Sequence, residues 1–473
     1  MYTFMTESVR EWESCMINRK TETIRGGDAV MNVVIIGGDA AGMSAAMQVS
    51  RKRKDASITV LEKGGVYSYA QCGLPYYIGG EVDKSDELIA RPVSFFREKA
   101  GIDARVFHEV TAVDAKNKQV SGTDLKSGEP FSVDYDILLV ATGAGSIFPP
   151  FEGRDLEGIH LLKTIPDAEG IVEDMKENVL NVTVIGGGYI GLEVAENLVK
   201  DGRKVRIIDL ADRVGNVYDQ EISEKIQEEA ERNGIDLVLG ESVTSFEGEN
   251  GRVSKVVTDQ GSYNADMVVV AIGVKPNTGF LEGTGVHLHP SGAVLVNPYM
   301  ETNIPGIYAA GDCATQFHRV KQKDDFVPLG THANKQGRIA GINMSGETKA
   351  FKGITGSSVM QFFDLTVGKT GISENEAKEL GMDYEVIGYD AAAIAHYMPG
   401  NSPLFIRMMK DKSNDKLIGM QAIGKKGVDK RIDVAATAIY HGMTTEDMEN
   451  LDISYAPPFN TAWDPVQQGA RRL

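Results

Sequence analysis

Cysteine is scarce in this chain: Cys15, Cys72 and Cys313 are the three in 473 residues. So few, so widely spaced, cannot form a disulfide framework, and the expected setting is a reducing cytoplasm. Long apolar runs are missing too. None approaches the roughly 20 residues of a membrane-spanning helix, so no membrane partner is expected. Basic charge is in deficit, with 49 Lys and Arg against 67 Asp and Glu and a net charge of −18. That balance repels polyanions and argues against nucleic acid and anionic lipid as partners. Residues 1–30 lack the positive-then-apolar order of a signal peptide. They are expected to be a disordered extension, with Met31 as the functional start.

The length has room for about three domains, and 42% apolar with 25% charged residues is ordinary for globular protein. Two stretches organise it. Asn32–Ile36 carries the β-branched run of a buried parallel strand, followed by Gly37-Gly38-Asp39-Ala40-Ala41-Gly42 and a helix of small and apolar residues. The next strand, Ile58–Leu61, ends on Glu62, 20 residues after Gly42. Strand, glycine turn, helix, strand and acid make a dinucleotide-binding unit, although Asp39 replaces the second glycine of G-x-G-x-x-G. The unit recurs in full form downstream. Val182–Ile185 leads into Gly186-Gly187-Gly188-Tyr189-Ile190-Gly191, and Val205–Ile208 leads into Asp209, 18 residues after Gly191. The glycines let backbone approach a pyrophosphate at the helix N-terminus. Asp209 can accept from a ribose 2′-OH and repels a 2′-phosphate, which favours NADH, a preference that Arg213 softens.

Between the units lies Tyr67-Ser68-Tyr69-Ala70-Gln71-Cys72-Gly73-Leu74-Pro75-Tyr76-Tyr77. Pro75 is tolerated only in a helix's first turn, so Cys72 is expected at a helix N-terminus. There the dipole and free N–H groups favour a thiolate and lower its pKa. The plain alternative is a buried structural cysteine, the usual fate of a free Cys and the one expected of Cys313. The basic run Arg51-Lys52-Arg53-Lys54 reads as cations at a helix C-terminus, or as a phosphate patch near the substrate.

Cys-Gly-Leu-Pro-Tyr after a first nucleotide-binding unit resembles the single-cysteine branch of the pyridine nucleotide-disulfide oxidoreductases. The two-cysteine branch pairs C-x4-C, but Tyr77 stands five residues after Cys72. The redox partner of Cys72 must then be an oxygen atom or a small thiol. The resemblance implies an α/β fold: two Rossmann-like dinucleotide-binding domains, as in glutathione reductase, plus a C-terminal α+β dimerisation domain. It implies an FAD domain over 31–150 and 275–350, an NAD(P)H domain over 151–274 and a dimerisation domain over 351–473. FAD contacts would come from Gly37, Gly38, Ala41, Gly42, Glu62, Lys63, Thr142, Gly143, Asp312 and Pro458. NADH, with NADPH a weaker option, would meet Gly186, Gly188, Tyr189, Ile190, Gly191, Asp209 and Gly273. No metal is expected.

Peroxide- and oxygen-reducing relatives carry a His just before the last glycine pair of the first turn. Here Ala40-Ala41-Gly42 matches the coenzyme A-disulfide reductases instead. That resemblance implies coenzyme A contacts from Ser44, Gln48, Arg51, Ser68, Gln71 and His332. It also implies a Cys72–S–S–CoA mixed disulfide, with Tyr397 and Tyr455 reaching the cysteine across a homodimer. Trp463 stands where relatives place a lysine, which departs from the pattern. The expected activity is reduction of CoA disulfide to two CoA thiols. A persulfide or polysulfide reductase shares every motif, though many such relatives append a rhodanese domain that this sequence does not carry. An NADH oxidase or peroxidase working through sulfenic acid is the next alternative, and a non-catalytic redox sensor the last.

Overall fold

The β-branched run near the start of the chain becomes the middle strand of a parallel sheet. In the computed structural model, which describes residues 30–473, Met31–Ile36 pairs with Ala56–Leu61 on one side and Ile137–Val140 on the other. Asp103–Arg105 and Ile307–Ala309 complete the five strands. Val33, Ile35, Leu138 and Leu139 are fully buried, as a sheet covered on both faces requires. The helix Ala40–Lys52 packs on this sheet and is crossed by the helix Gly330–Met344. Glycine makes the crossing possible: a Cβ on Gly337 would stand 2.1 Å from the Ala41 carbonyl oxygen, and one on Gly341 2.5 Å from that of Ala45. The extension expected over residues 1–30 lies, Val30 excepted, outside the described residues.

The second unit builds a like sheet from Asn181–Ile185, Lys204–Asp209, Asp236–Leu239, Met267–Val270 and Ile159–Leu161, again all parallel. Each nucleotide-binding unit also holds a three-stranded antiparallel meander. The first runs from His108–Asp114 to Pro130–Asp134, the second from Val243–Glu249 to Ser262–Asn264. The first meander occupies the charged stretch after the cysteine, where the sequence suggests no element. Its last strand alternates half-buried and exposed residues but is five residues long, and a bulge between Val110 and Ala112 breaks the alternation of its first.

The C-terminal unit is a five-stranded antiparallel sheet in the order Ser358–Phe362, Leu365–Gly371, Leu417–Gly424, Pro403–Asp411, Tyr384–Ala392. Its middle strand, Leu417–Gly424, is buried along its whole length, yet two glycines and Gln421 disguise it in sequence. The helix Val428–His441 packs on this sheet. It starts at Val428, ahead of the Val434 that the apolar pattern suggests, because Gly427 in the left-handed region sets its first turn.

One buried guanidinium joins this unit to the second nucleotide-binding unit. Arg407, 7% exposed, donates from Nε to Asp219 Oδ2 at 2.8 Å and pairs with Glu221 and Glu374 through its other nitrogens. Asp219 Oδ1 in turn accepts the Glu374 N–H at 2.9 Å. The cluster is satisfied only while the arginine is present. Arg407→Met should strand like charges at the junction and cost about 3 kcal/mol. A urea midpoint unchanged from wild type would show that the cluster carries no such role.

Candidate functional site

Two turns of the same design face one cleft. Gly37 and Gly186 have φ of +108° and +102°, a region that favours glycine. A Cβ on Gly42 would lie 1.9 Å from the Gly37 carbonyl oxygen, and one on Gly191 1.9 Å from that of Gly186. The acid ending each unit's second strand grips its turn. Glu62 Oε2 accepts the Gly38 N–H at 2.7 Å, and Asp209 Oδ2 accepts the Gly187 N–H at 2.6 Å. Gly37, Gly38, Ala41, Glu62, Lys63, Thr142, Gly143 and Asp312 line the cleft beside the first turn. Gly186, Gly188, Tyr189, Ile190, Asp209 and Gly273 line it beside the second, within a volume of about 2460 Å³. Gly42 and Gly191 lie behind the wall, where their lack of a Cβ closes helix onto turn. Lys63 is exposed and pairs with Glu109 at 2.7 Å, while the Tyr189 hydroxyl shares a 2.8 Å hydrogen bond with Ser358.

Cys72 lies in the wall between the turns, in a single 3-10 turn, Gln71–Gly73, that runs into the helix Leu74–Ile78 with Pro75 in its first turn. The thiol pKa is raised, not lowered. Burial of the sulfur is the main cause, the charge of Glu193 adds to it, and Lys163 opposes. Cys72 is open to the cleft, but the cleft walls thin its hydration, and accessibility is not full solvation. A five-residue helix that begins after the cysteine supplies too small a dipole to offset this. The expected depression of the Cys72 pKa is therefore corrected.

Glu193 and Lys163 were not singled out from the sequence at this point, and Asp39 was read there only as a departure from the glycine pattern. Asp39, in place of the turn's second glycine, accepts the Tyr69 N–H at 3.0 Å and Gln71 Nε2–H at 2.9 Å, so it ties the cofactor turn to the cysteine loop. Burial pushes its pKa up to about 6. Glu193, on the helix Tyr189–Lys200, is pushed up to about 7 by burial and then by Glu196. Lys163 Nζ stands 3.5 Å from Asp312 Oδ2. The signal for Asp39 was an acid where a glycine belongs, and that for Glu193 two acids one turn apart on a mostly apolar helix; Lys163 had none.

The other expected contacts divide. Ser44, Gln48 and Arg51 share one face of Ala40–Lys52 by their spacing. Ser44 Oγ donates to Asn334 at 3.0 Å, and Arg51 is exposed. Within the neighbouring basic run, Lys52 pairs with Glu347 and Arg53 with Asp55. Ser68 holds a left-handed φ of 49° and donates its N–H to the Gly38 carbonyl at 3.0 Å. His332 is buried outside the cleft wall, its Nδ1 donating to the Val327 carbonyl at 3.0 Å, and burial lowers its pKa. Tyr397 and Tyr455 are 62% and 49% exposed, lie near enough for Tyr455 to raise the Tyr397 pKa, and do not line the cleft that holds Cys72. Pro458 is exposed on the Tyr455 loop, as are Phe459 and Trp463. Cys313 is buried. Among the described residues, no helix is long and apolar enough to cross a membrane, and no cluster of His, Cys, Asp and Glu could hold a metal ion.

Both cradles fit dinucleotides: glycine surfaces that a Cβ would fill, backbone N–H groups at a helix start, and an acid behind each turn. With a lone accessible cysteine between them, they define a nicotinamide-dependent flavoprotein disulfide reductase. Residues 31–337 match the pyridine nucleotide-disulphide oxidoreductase family and 357–466 its dimerisation domain, and the chain belongs to that family. It is 40% identical to the NAD(P)H sulfur oxidoreductase (CoA-dependent) of Pyrococcus furiosus, over 93% of this chain and 98% of that protein. It is 33% identical to the coenzyme A disulfide reductase of Staphylococcus aureus, over 92% of this chain and 98% of that one. The solved structure of reduced Bacillus anthracis CoADR-RHD superposes with a TM-score of 0.91 at 34% identity, covering 94% of this chain and 80% of that one.

Glu193→Gln should shift the alkylation of Cys72 by iodoacetamide to lower pH. Removing a nearby negative charge favours the thiolate and so lowers the thiol pKa. A curve that stays in place or moves to higher pH would show that Glu193 does not act on this sulfur.

Proposed function

We propose that this enzyme uses NADH to reduce the disulfide of coenzyme A through a mixed disulfide on Cys72. The observation that carries the reading is Cys72 itself: one accessible sulfur between two dinucleotide cradles, with no second cysteine in the wall to close an internal disulfide. Gly37, Gly38, Glu62, Thr142, Gly143 and Asp312 would hold FAD. Gly186, Gly188, Tyr189, Ile190, Gly191, Asp209 and Gly273 would hold NADH. Bound FAD would carry an electron pair from the nicotinamide to sulfur.

The Cys72 thiolate attacks one sulfur of CoA disulfide, forming a Cys72–S–S–CoA bond and releasing one CoA thiolate. Two electrons then break that bond and return the Cys72 thiolate with a second CoA thiolate, and two protons complete the products. The raised thiol pKa makes Cys72 the more basic and more nucleophilic sulfur once ionised. Gln71, directly before the cysteine and tethered by Asp39, offers an amide to the pantetheine arm. Ser44, Gln48 and Arg51 form a polar and then cationic track along one helix face, suited to the arm and phosphates. His332 would act only through Val327 and the helix it starts. Tyr397 and Tyr455, exposed beside Phe459 and Trp463 on the dimerisation unit, would meet the departing sulfur in the partner subunit of a homodimer. The free cysteines accord with a cytoplasmic enzyme.

Intact mass tests the mixed disulfide. The oxidised enzyme should carry about 765 Da that a thiol reductant releases, and Cys72→Ser should carry none while keeping FAD and its reduction by NADH. Absence of the adduct together with full turnover in Cys72→Ser would remove the cysteine from the mechanism. For nucleotide choice, Asp209→Asn keeps an acceptor for the turn but loses the charge. The ratio of kcat/KM for NADPH to that for NADH should then rise by roughly tenfold or more. A wild-type enzyme that already prefers NADPH would sink the role given to Asp209.

A second reading, reduction of persulfide or polysulfide carried on coenzyme A, is favoured by the higher identity to the CoA-dependent sulfur oxidoreductase. It uses the same Cys72 chemistry. The ratio of kcat/KM for CoA persulfide to that for CoA disulfide decides between them.

A further inference from the structure

The two loops that carry the exposed tyrosines hang on one buried guanidinium. Arg431, on the helix Val428–His441, is 1% exposed. Its Nη2 donates to the Ala393 carbonyl at 2.9 Å and to Asn460 Oδ1 at 3.0 Å. Its Nη1 donates to the Gly427 carbonyl at 2.9 Å, and its Nε stands 3.3 Å from the Asp464 carboxylate. Ala393 opens the segment that leads to Tyr397, and Asn460 and Asp464 close the loop that contains Tyr455. The loops are also bonded directly, Ala395 N–H to the Pro457 carbonyl at 3.2 Å. Asn460 and Asp464 are 1% and 2% exposed. The roots of both loops are therefore fixed in the interior while their aromatic tips face outward.

A buried ion pair is a poor device for stability, since apolar residues of equal volume do as well. What a guanidinium adds is geometry: a rigid planar fork whose nitrogens reach several acceptors at fixed angles, which an ammonium cannot copy. Here one fork spans both tyrosine loops and sets their spacing. We propose that Arg431 is a positioning residue for sulfur chemistry. By holding Ala393 and Asn460 together, it fixes the neighbouring Tyr397 and Tyr455 in the register that meets the Cys72 sulfur of the other subunit. The inference rests on the reading of the two tyrosines given above.

Arg431→Lys keeps the charge and loses the fork. In the FAD-loaded dimer, flavin reduction by NADH is followed at the flavin absorbance band, and reoxidation by CoA disulfide in a separate phase. Arg431→Lys should leave the first phase near wild type and slow the second roughly tenfold, the size of one lost hydrogen bond to a charged sulfur. In a Tyr397→Phe, Tyr455→Phe background the same change should add nothing, because its effect passes through the two hydroxyls. Asn460→Ala, which cuts only the bond to the Tyr455 loop, should show the same pattern and serves where Arg431→Lys does not fold. A second phase at wild-type speed in both variants overturns the proposal, as does a loss that multiplies in the tyrosine-free background. If the tyrosine-free enzyme itself reoxidises at wild-type speed, the reading of the tyrosines has failed and the inference falls with it. If neither variant yields an FAD-loaded dimer, Arg431 serves folding, and the positioning role is overturned.

Discussion

Two carboxylates hold the cleft in shape. Glu62 and Asp209 end equivalent strands, and each accepts the N–H of the glycine in its own turn. The bond fixes the turn against the neighbouring strand, while the missing Cβ of Gly42 and of Gly191 lets the following helix close onto the same turn. Strand, turn and helix are thereby locked within the thickness of one backbone. Charge-assisted bonds to backbone N–H groups are among the stronger ones a protein makes. The strand ends Thr142–Gly143 and Gly273 depend on these frames for their places along the cleft. In the first turn the lock extends further, because Asp39 carries it into the cysteine loop.

Much of this was legible because it is local. A β-branched run, a glycine spacing and a terminal acid each state a backbone requirement, and the structure meets them in Met31–Ile36, Gly37–Gly42 and Glu62. The meander over His108–Asp134 was not legible, because a bulge breaks the alternation of its first strand and its last is only five residues long. The strand Leu417–Gly424 was hidden by its glycines. Among the site residues, position could be read but electrostatics could not. The direction of the Cys72 pKa is set first by burial of the sulfur and then reinforced by Glu193, and both reach the thiol only through tertiary packing. Asp39 and Lys163 owe their importance to burial and to partners that no local pattern encodes.

The C-terminal unit answers a different demand. Its sheet must keep fixed relations with the nucleotide-binding units while presenting aromatic tips outward. Arg407 serves the first end, anchoring the sheet to the helix Gln220–Arg232 through Asp219 and Glu221. Lys321 adds a second tie, reaching Asp325 on its own side and Glu376 on the other at 2.6 and 2.5 Å. In both joints the cation is largely buried while some of its carboxylate partners reach solvent, so salt screens them less than fully exposed pairs. Tyr397, Tyr455, Phe459 and Trp463 of this unit stay exposed.

The interrupted first sheet has a consequence for how the chain comes into being. Its edge strand Ile307–Ala309 and the helix Gly330–Met344 that crosses Ala40–Lys52 are made only after the whole second sheet has been synthesised. On a ribosome, the second unit can therefore close first, while the first waits with one edge unpaired and one helix face bare. An unpaired parallel edge invites wrong pairing, and domains generally close as their last residues emerge. Asp312, just past that late strand, lines the cleft, so the cleft wall is completed only once this last part of the first unit has been made.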